Sequence, residues 1–175
     1  MFFQTVNPAT GELVQTFKEI SDDDLELALA TAHKAYETDW RVRPVAERAK
    51  IVSRAAAILR EKAEEYAGYL TLEMGKHIAD SYSEVATSAA ILDYYAKKAE
   101  SYLKPKLLSE VPGAELHTYP IGVLLGIEPW NYPYYQIARV AGPQLMVGNV
   151  LILVSLCFTL FYLRSFRHSM ESEAH

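Results

Sequence analysis

The chain opens with two short apolar-rich stretches, Phe2 to Val6 and Glu12 to Phe17, separated by the turn-forming run Asn7-Pro8-Ala9-Thr10-Gly11. That pattern predicts two strands joined by a tight connection. Helical spacing then takes over. Ser21 is placed to cap a helix whose first turn holds Asp22, Asp23 and Asp24, where the helix dipole favours negative charge, and the helix runs to about Glu37. Pro44 suits the first turn of the next helix, in which Val45, Ala49, Val52, Ala56 and Leu59 recur on one face. A further helix is expected from Ala63 to Met74, with Gly75 as its C-cap, and a long one from about Ala79 to Leu103, ahead of Pro105. From Leu107 the pattern becomes strand-like: Glu115 to Tyr119 and Ile121 to Ile127 flank Pro120, and Val111-Pro112-Gly113 supplies a turn. Val123 to Ile127 is apolar throughout, as expected of a strand buried on both faces. A helix from about Tyr134 to Val147 and a second apolar run from Val150 complete a strand–helix–strand unit. The expected fold class is α/β: an N-terminal helical layer plus the first strands of an incomplete, Rossmann-type doubly wound sheet.

Composition narrows the function classes. At 175 residues, half of them hydrophobic and 22% charged, the chain has the make-up of a folded globular protein. A net charge of −5 argues against a nucleic-acid partner, because phosphate binding needs clustered cations. A single cysteine, Cys157, excludes an internal disulfide framework and fits a reducing compartment. No cationic segment followed by an apolar run marks a secretory signal, so a cytoplasmic location is expected. The five histidines share no metal-ligand spacing, and no metal site is expected.

The chemistry-bearing residues concentrate in Ile127-Glu128-Pro129-Trp130-Asn131-Tyr132-Pro133. Pro129 and Pro133 stiffen the backbone around Asn131 at the end of a strand, a place suited to mounting a polar donor. The same pattern also makes an ordinary strand-to-helix turn. Arg139 follows Asn131 by eight residues, two helical turns, and could face the same pocket; it could equally be a surface helix cation. Tyr132 and Tyr135 are either pocket walls or core aromatics. Cys157 sits among Leu156, Phe158 and Leu160, an apolar setting that leaves a thiol inert, so it is not taken as a nucleophile. The acidic positions of the helices read as solvated faces.

Seven short motifs in order carry a family resemblance: Asn7-Pro8-Ala9-Thr10-Gly11-Glu12, Trp40-Arg41, Glu47-Arg48, Glu73-Met74-Gly75-Lys76, Pro120-Ile121-Gly122-Val123, Pro129-Trp130-Asn131-Tyr132-Pro133 and Gly148-Asn149-Val150. Over residues 1 to about 153 the chain resembles the N-terminal part of an NAD(P)-dependent aldehyde dehydrogenase, and is most similar in look to the succinate-semialdehyde dehydrogenases. The resemblance implies oxidation of a small-molecule aldehyde to the acid, with NAD or NADP as hydride acceptor and a cysteine thiolate as nucleophile. It implies that the Asn131 side-chain amide stands near the developing oxyanion. It also implies that Ile127, Glu128, Pro129 and Trp130 line the nicotinamide–ribose groove. Arg139 would pair the distal carboxylate of succinic semialdehyde, with Tyr132 and Tyr135 beside it. Glu73 and Lys76 match a structural helix-end motif. A hairpin-like segment near 107–119 would serve oligomerisation, the family forming homo-oligomers.

The resemblance stops within a residue or two of Leu153. Val154 stands where the family has a lysine for the adenosine ribose, and residues 154–175 read as an unrelated apolar tail. The glycine-rich pyrophosphate turn, the glutamate base and the catalytic cysteine have no counterpart, so the chain by itself is expected to be inactive. So abrupt a break is the expected mark of a frameshift or truncated reading frame; reading the coding DNA across codon 154 in all three frames tests it. Two other readings stay open. One is a non-catalytic interaction module that pairs with a full-length relative. The other is a tail-anchored membrane protein, since Leu145 to Leu163 is a nineteen-residue stretch with no charged residue.

Overall fold

The structure, a computed structural model, describes residues 2–155. Strands β1 (Phe2–Val6) and β2 (Leu13–Lys18) pair antiparallel, from Phe2↔Lys18 to Val6↔Leu13. Helix α1 (Asp22–Thr38) starts where expected: the Ser21 hydroxyl accepts from the Asp24 N–H at 3.1 Å. Its exposed Leu25, Leu27 and Leu29 leave Tyr36 as its one buried residue. A short 3₁₀ turn, Trp40–Val42, leads to α2 (Val45–Glu61), followed by α3 (Ala63–Met74) and α4 (Ile78–Tyr102). Gly75 ends α3 at φ +68, the left-handed conformation that a residue with a Cβ adopts only under strain.

The core is helical. Val52, Ala56, Ile58 and Leu59 of α2, Tyr66 and Leu70 of α3, and Val85, Ala89, Leu92 and Ala96 of α4 pack together. They close against Ala138 and Met146 of α5 (Pro133–Val147). Small residues at 88, 89, 96 and 99 line the buried stripe of α4, letting α2, α3 and α5 approach it closely.

Two expectations about strands need correction. The segment after α4 forms only a two-rung hairpin, β3 (Lys106–Leu107) with β4 (Glu115–Leu116), not a strand reaching Tyr119. The next rung would oppose His117 to Pro105, which has no N–H to offer. Strand β5 (Val123–Glu128) begins two residues later than the apolar run suggests. Gly122 holds φ +136, outside the strand region, and the N–H groups of Ile121 and Gly122 donate to the Asn149 side-chain oxygen at 2.7 and 3.0 Å. β5 pairs in parallel with β6 (Val150–Ser155), in register Val123↔Val150 to Glu128↔Ser155, and α5 connects them.

This is the strand–helix–strand unit of a Rossmann-type sheet, two strands wide among the described residues. It is not buried on both faces. Leu125 is 64% and Ile127 61% exposed, because a two-stranded sheet has only the helices beside it for cover. The apolar stretch from Leu145 to Leu163 is also no continuous helix. Its described part divides into the end of α5, a left-handed turn at Gly148 and strand β6. No helix among the described residues is long and apolar enough to cross a membrane, and 156–163 lie outside them.

The N-terminal hairpin is tied to α3 by a side-chain bond, Thr5 Oγ1 donating to Glu73 Oε2 at 3.3 Å. Burial raises the Glu73 carboxyl from its ordinary value of 4.5 to about 7, against the opposing effect of the Thr5 bond. A carboxyl raised in the folded state keeps its proton there longer than in the unfolded chain. The contribution of this group to stability is therefore fully present below about pH 4.5, falls as pH rises, and is lost above about pH 7. Discounted for the half-exposed site, the loss from pH 5 to pH 8 is about 1–2 kcal/mol. Urea titrations at both pH values check it, and Glu73→Gln is expected to flatten this part of the slope.

Candidate functional site

Asn131 lies in the connection between β5 and α5, exposed, one residue ahead of Tyr132, the N-cap of α5. No side chain of its own caps this helix. Its first-turn donors are instead taken by a carboxylate from another helix: Glu84 Oε1 accepts from the Tyr134 N–H at 2.9 Å and the Tyr135 N–H at 3.3 Å. The Glu84 side chain is fully buried and its Oε2 meets the ammonium of Lys76, itself nearly buried. That ammonium stands 3.4 Å from the centroid of the Tyr132 ring and 3.4 Å from the Asn131 carbonyl oxygen. A negative group at the N-terminus of α5 matches the helix dipole.

The other end of α5 is held with the opposite charge. Arg48 of α2, buried, donates to the Met146 carbonyl from Nε (3.2 Å) and Nη2 (3.0 Å), and from Nη1 to the Arg43 carbonyl. Burial lowers the guanidinium below its ordinary pKa. The Trp40 indole N–H adds a bond to the Leu145 carbonyl at 3.0 Å. Beyond the helix, Asn149 donates to Gln144 Oε1 at 2.8 Å while accepting from the backbone ahead of β5. The helix behind Asn131 is thus fixed at both termini by side chains from elements distant in sequence.

Two clefts of about 380 Å³ each lie along α4 and α5. The first is lined by Asp80, Ser83, Glu84 and Thr87 of α4 with Tyr132, Tyr135 and Gln136. The Tyr132 and Tyr135 rings meet edge-on there, 6.3 Å apart at 75°. Arg139 lines the second, with Thr87, Ala90, Ile91, Tyr94 and Tyr95. Thr87 borders both. Arg139 therefore does not share a cleft with the two tyrosines, and Asn131 lines neither. Arg139 is half exposed and reaches buried Glu128 at 3.8 Å, a long contact that leaves guanidinium donors available.

Of the residues expected to line a cofactor groove, Ile127 and Trp130 are exposed, Pro129 is exposed and Glu128 is buried. They sit at the carboxyl end of β5, beside Val154 and Ser155 at the end of β6. Carboxyl ends of parallel strands are where open α/β sheets receive ligands. The side chains of Ile127, Pro129 and Trp130 stand exposed there, with the Glu128 carboxylate buried between them.

Sequence reasoning passed over Glu84, taking helix carboxylates as solvated. The signal was available, since Glu84 falls on the same stripe as Ser81, Val85, Ser88 and Leu92. A carboxylate on an otherwise apolar or small-residue face asks for a partner.

Residues 1–157 match the sequence pattern of the aldehyde dehydrogenase family. A succinate-semialdehyde dehydrogenase [NADP(+)] of Deinococcus radiodurans is 48% identical over 153 residues, covering 86% of this chain and 32% of its own length. Among solved structures, succinic semialdehyde dehydrogenase from Streptococcus pyogenes, in complex with NADP+, superposes with a TM-score of 0.89 at 34% identity, over 99% of this chain and 38% of its own. Gox0499, studied for cofactor and substrate selection, reaches 0.92 at 36% identity, over 98% and 38%. The chain spans about a third of the length of the curated relatives it matches. With that match extending through nine-tenths of its residues, and the β5–α5 turn presenting the Pro-Trp-Asn sequence, the chain belongs to the aldehyde dehydrogenase family.

Proposed function

We propose that this chain carries the oxyanion-donor and aldehyde-recognition part of a succinate-semialdehyde dehydrogenase, and that the 175-residue polypeptide does not oxidise aldehydes by itself. The observation that carries this reading is Asn131, presented on a turn whose helix is anchored at both ends. A side-chain amide held there offers an N–H to a carbonyl oxygen gaining negative charge. Arg139, in the second cleft, offers paired donors to a carboxylate. An amide donor and a guanidinium are the two recognition groups an aldehyde acid calls for, in keeping with the name of the Deinococcus relative.

The backbone and side chains of Ile127, Glu128, Pro129 and Trp130 are the part of this chain that would hold the nicotinamide–ribose end of a dinucleotide. When bound, that group supplies the hydride acceptor. The relatives' names favour NADP over NAD. Inactivity of the isolated chain follows from the nucleophile: its one cysteine is Cys157, in an apolar run, and the reaction needs a thiolate. Segment 107–119 is the oligomerisation element, its Leu107 and Leu116 exposed for a partner chain, and a cytoplasmic location suits the composition.

Titration of the purified chain with succinate, an unreactive dicarboxylate, tests the recognition part. Binding is expected in the millimolar range, about −4 kcal/mol, and Arg139→Met is expected to weaken it about tenfold. Succinate binding unchanged by that substitution, or NADPH formation from succinic semialdehyde by the chain alone, would overturn the reading. A second reading rests on the open face of β5, where Leu125 and Ile127 are exposed: non-catalytic pairing with a full-length relative. A stoichiometric partner on co-purification would favour it.

A further inference from the structure

We propose that Lys76 and Glu84 form a positioning pair that fixes both the backbone of Asn131 and the ring of Tyr132. The inference rests on the reading of Asn131 as the amide donor for its chemical meaning, though its geometry stands independently of that reading. Three elements meet at this pair. Lys76 comes from the link between α3 and α4, Glu84 from the second turn of α4, and the group they hold is the β5–α5 turn, about fifty residues away in sequence.

The division of labour is visible atom by atom. Glu84 uses Oε1 for the two N–H groups that open α5 and Oε2 for the Lys76 ammonium. Lys76 then has one donor for the Asn131 carbonyl and one face against the Tyr132 ring. A cation at 3.4 Å from a ring centroid is held by the ring quadrupole, and holds the ring in turn. The carboxylate fixes where α5 begins; the ammonium fixes how the preceding residue approaches it.

Packing alone does not require charge here. A buried ion pair is commonly no more stabilising than apolar residues of the same volume, since both ions lose their hydration. An apolar pair at 76 and 84 could fill the space. It could not hold a carbonyl oxygen and an aromatic face in one orientation, nor take up the free N–H groups of α5. Orientation is what a donor to a developing oxyanion needs, because displacement by about 1 Å can cost a hundredfold in rate.

The test is amide relaxation by NMR on the whole 175-residue chain, comparing Lys76→Met, Lys76→Arg and the double variant Lys76→Met with Glu84→Gln. The double variant keeps volume and an acceptor for α5 while removing both charges, so the helical core stays folded. In it and in Lys76→Met, order parameters of residues 130–132 are expected to fall from about 0.85 to below about 0.6, with α2, α3 and α4 unchanged. Lys76→Arg restores cation, donor and ring contact, and is expected to keep that turn rigid. A rigid turn in Lys76→Met, or equal loss of order in the Met and Arg variants, would overturn the proposal. Should the variants not fold, the unmodified chain decides it. The Lys76 ε-methylene protons are expected well upfield of the other lysines, from the Tyr132 ring current, and ordinary shifts there would sink the idea. None of these readouts depends on aldehyde or dinucleotide, so a failure of the enzymatic reading leaves them untouched.

Discussion

Arg48→Met is expected to destabilise the fold by about 3 kcal/mol while leaving helix content nearly intact until the transition. Arg48 is 5% exposed, and its guanidinium donates to carbonyls on both sides of a junction, Met146 at the end of α5 and Arg43 before α2, with longer contacts to Trp40 and Val147. Methionine matches the length of the aliphatic stem and so separates packing from hydrogen bonding. What it removes is a donor set for carbonyls at a buried helix end, which have no intrahelical partner. Each acceptor left without a donor costs about 1–3 kcal/mol, and water entering the gap recovers part of that. Arg48→Lys is expected to lie between, since one ammonium cannot span the junction as the fork does. Urea denaturation followed by circular dichroism gives the free energies. A loss under about 1 kcal/mol for Arg48→Met would show that water serves these carbonyls as well as the arginine does.

Much of the helical layer was legible because its signals are local. Ser21 with three aspartates behind it, Pro44 ahead of a regular apolar face, and Gly75 after Met74 each fix a helix boundary by backbone chemistry within a few residues. The structure places α1, α2 and α3 within one residue of those marks. The strand–helix–strand unit was legible too, the helix expected from about Tyr134 to Val147 spanning Pro133–Val147 in the structure. What the sequence could not show is anything decided across distance. The apolar run of β5 reports a preference for burial and says nothing of what covers it, so Leu125 and Ile127 stand exposed. The start of β5 was set by Asn149, more than twenty residues downstream, which captures two N–H groups that the run appeared to offer to a neighbouring strand.

The candidate site divides the same way. Counting eight residues from Asn131 put Arg139 two turns along a helix, but the helix begins at Pro133, so Asn131 has no helical phase to share. Tyr132, Tyr135 and Gln136 face one cleft, and Arg139 falls in the next. The anchors of that helix, Glu84 and Arg48, were invisible as anchors because each acts on α5 from 50 or more residues away. Their charges nonetheless oppose the dipole in the correct sense at each end. That pairing is a property of the fold, and no window of sequence contains it.

Removing the carboxylate at the front of α5 should show the larger loss. Glu84→Ala is expected to cost about 3–5 kcal/mol, because it strands the Lys76 ammonium in a nearly buried site and frees two N–H groups at once. Lys76→Met in the same chain removes the stranded charge, and the double variant is expected to recover about half of that loss. The part not recovered belongs to the helix terminus, where the Tyr134 and Tyr135 N–H groups have lost the Glu84 carboxylate and the dipole its counter-charge. The double-mutant cycle therefore separates two roles that one side chain combines: partner to an ammonium, and cap to a helix from outside it. If Glu84→Ala and the double variant unfold at the same urea concentration, the ammonium was never the costly group, and capping alone accounts for the carboxylate. If the double variant recovers fully, the cap contributes nothing, and α5 is held by Arg48 and its packing against α4.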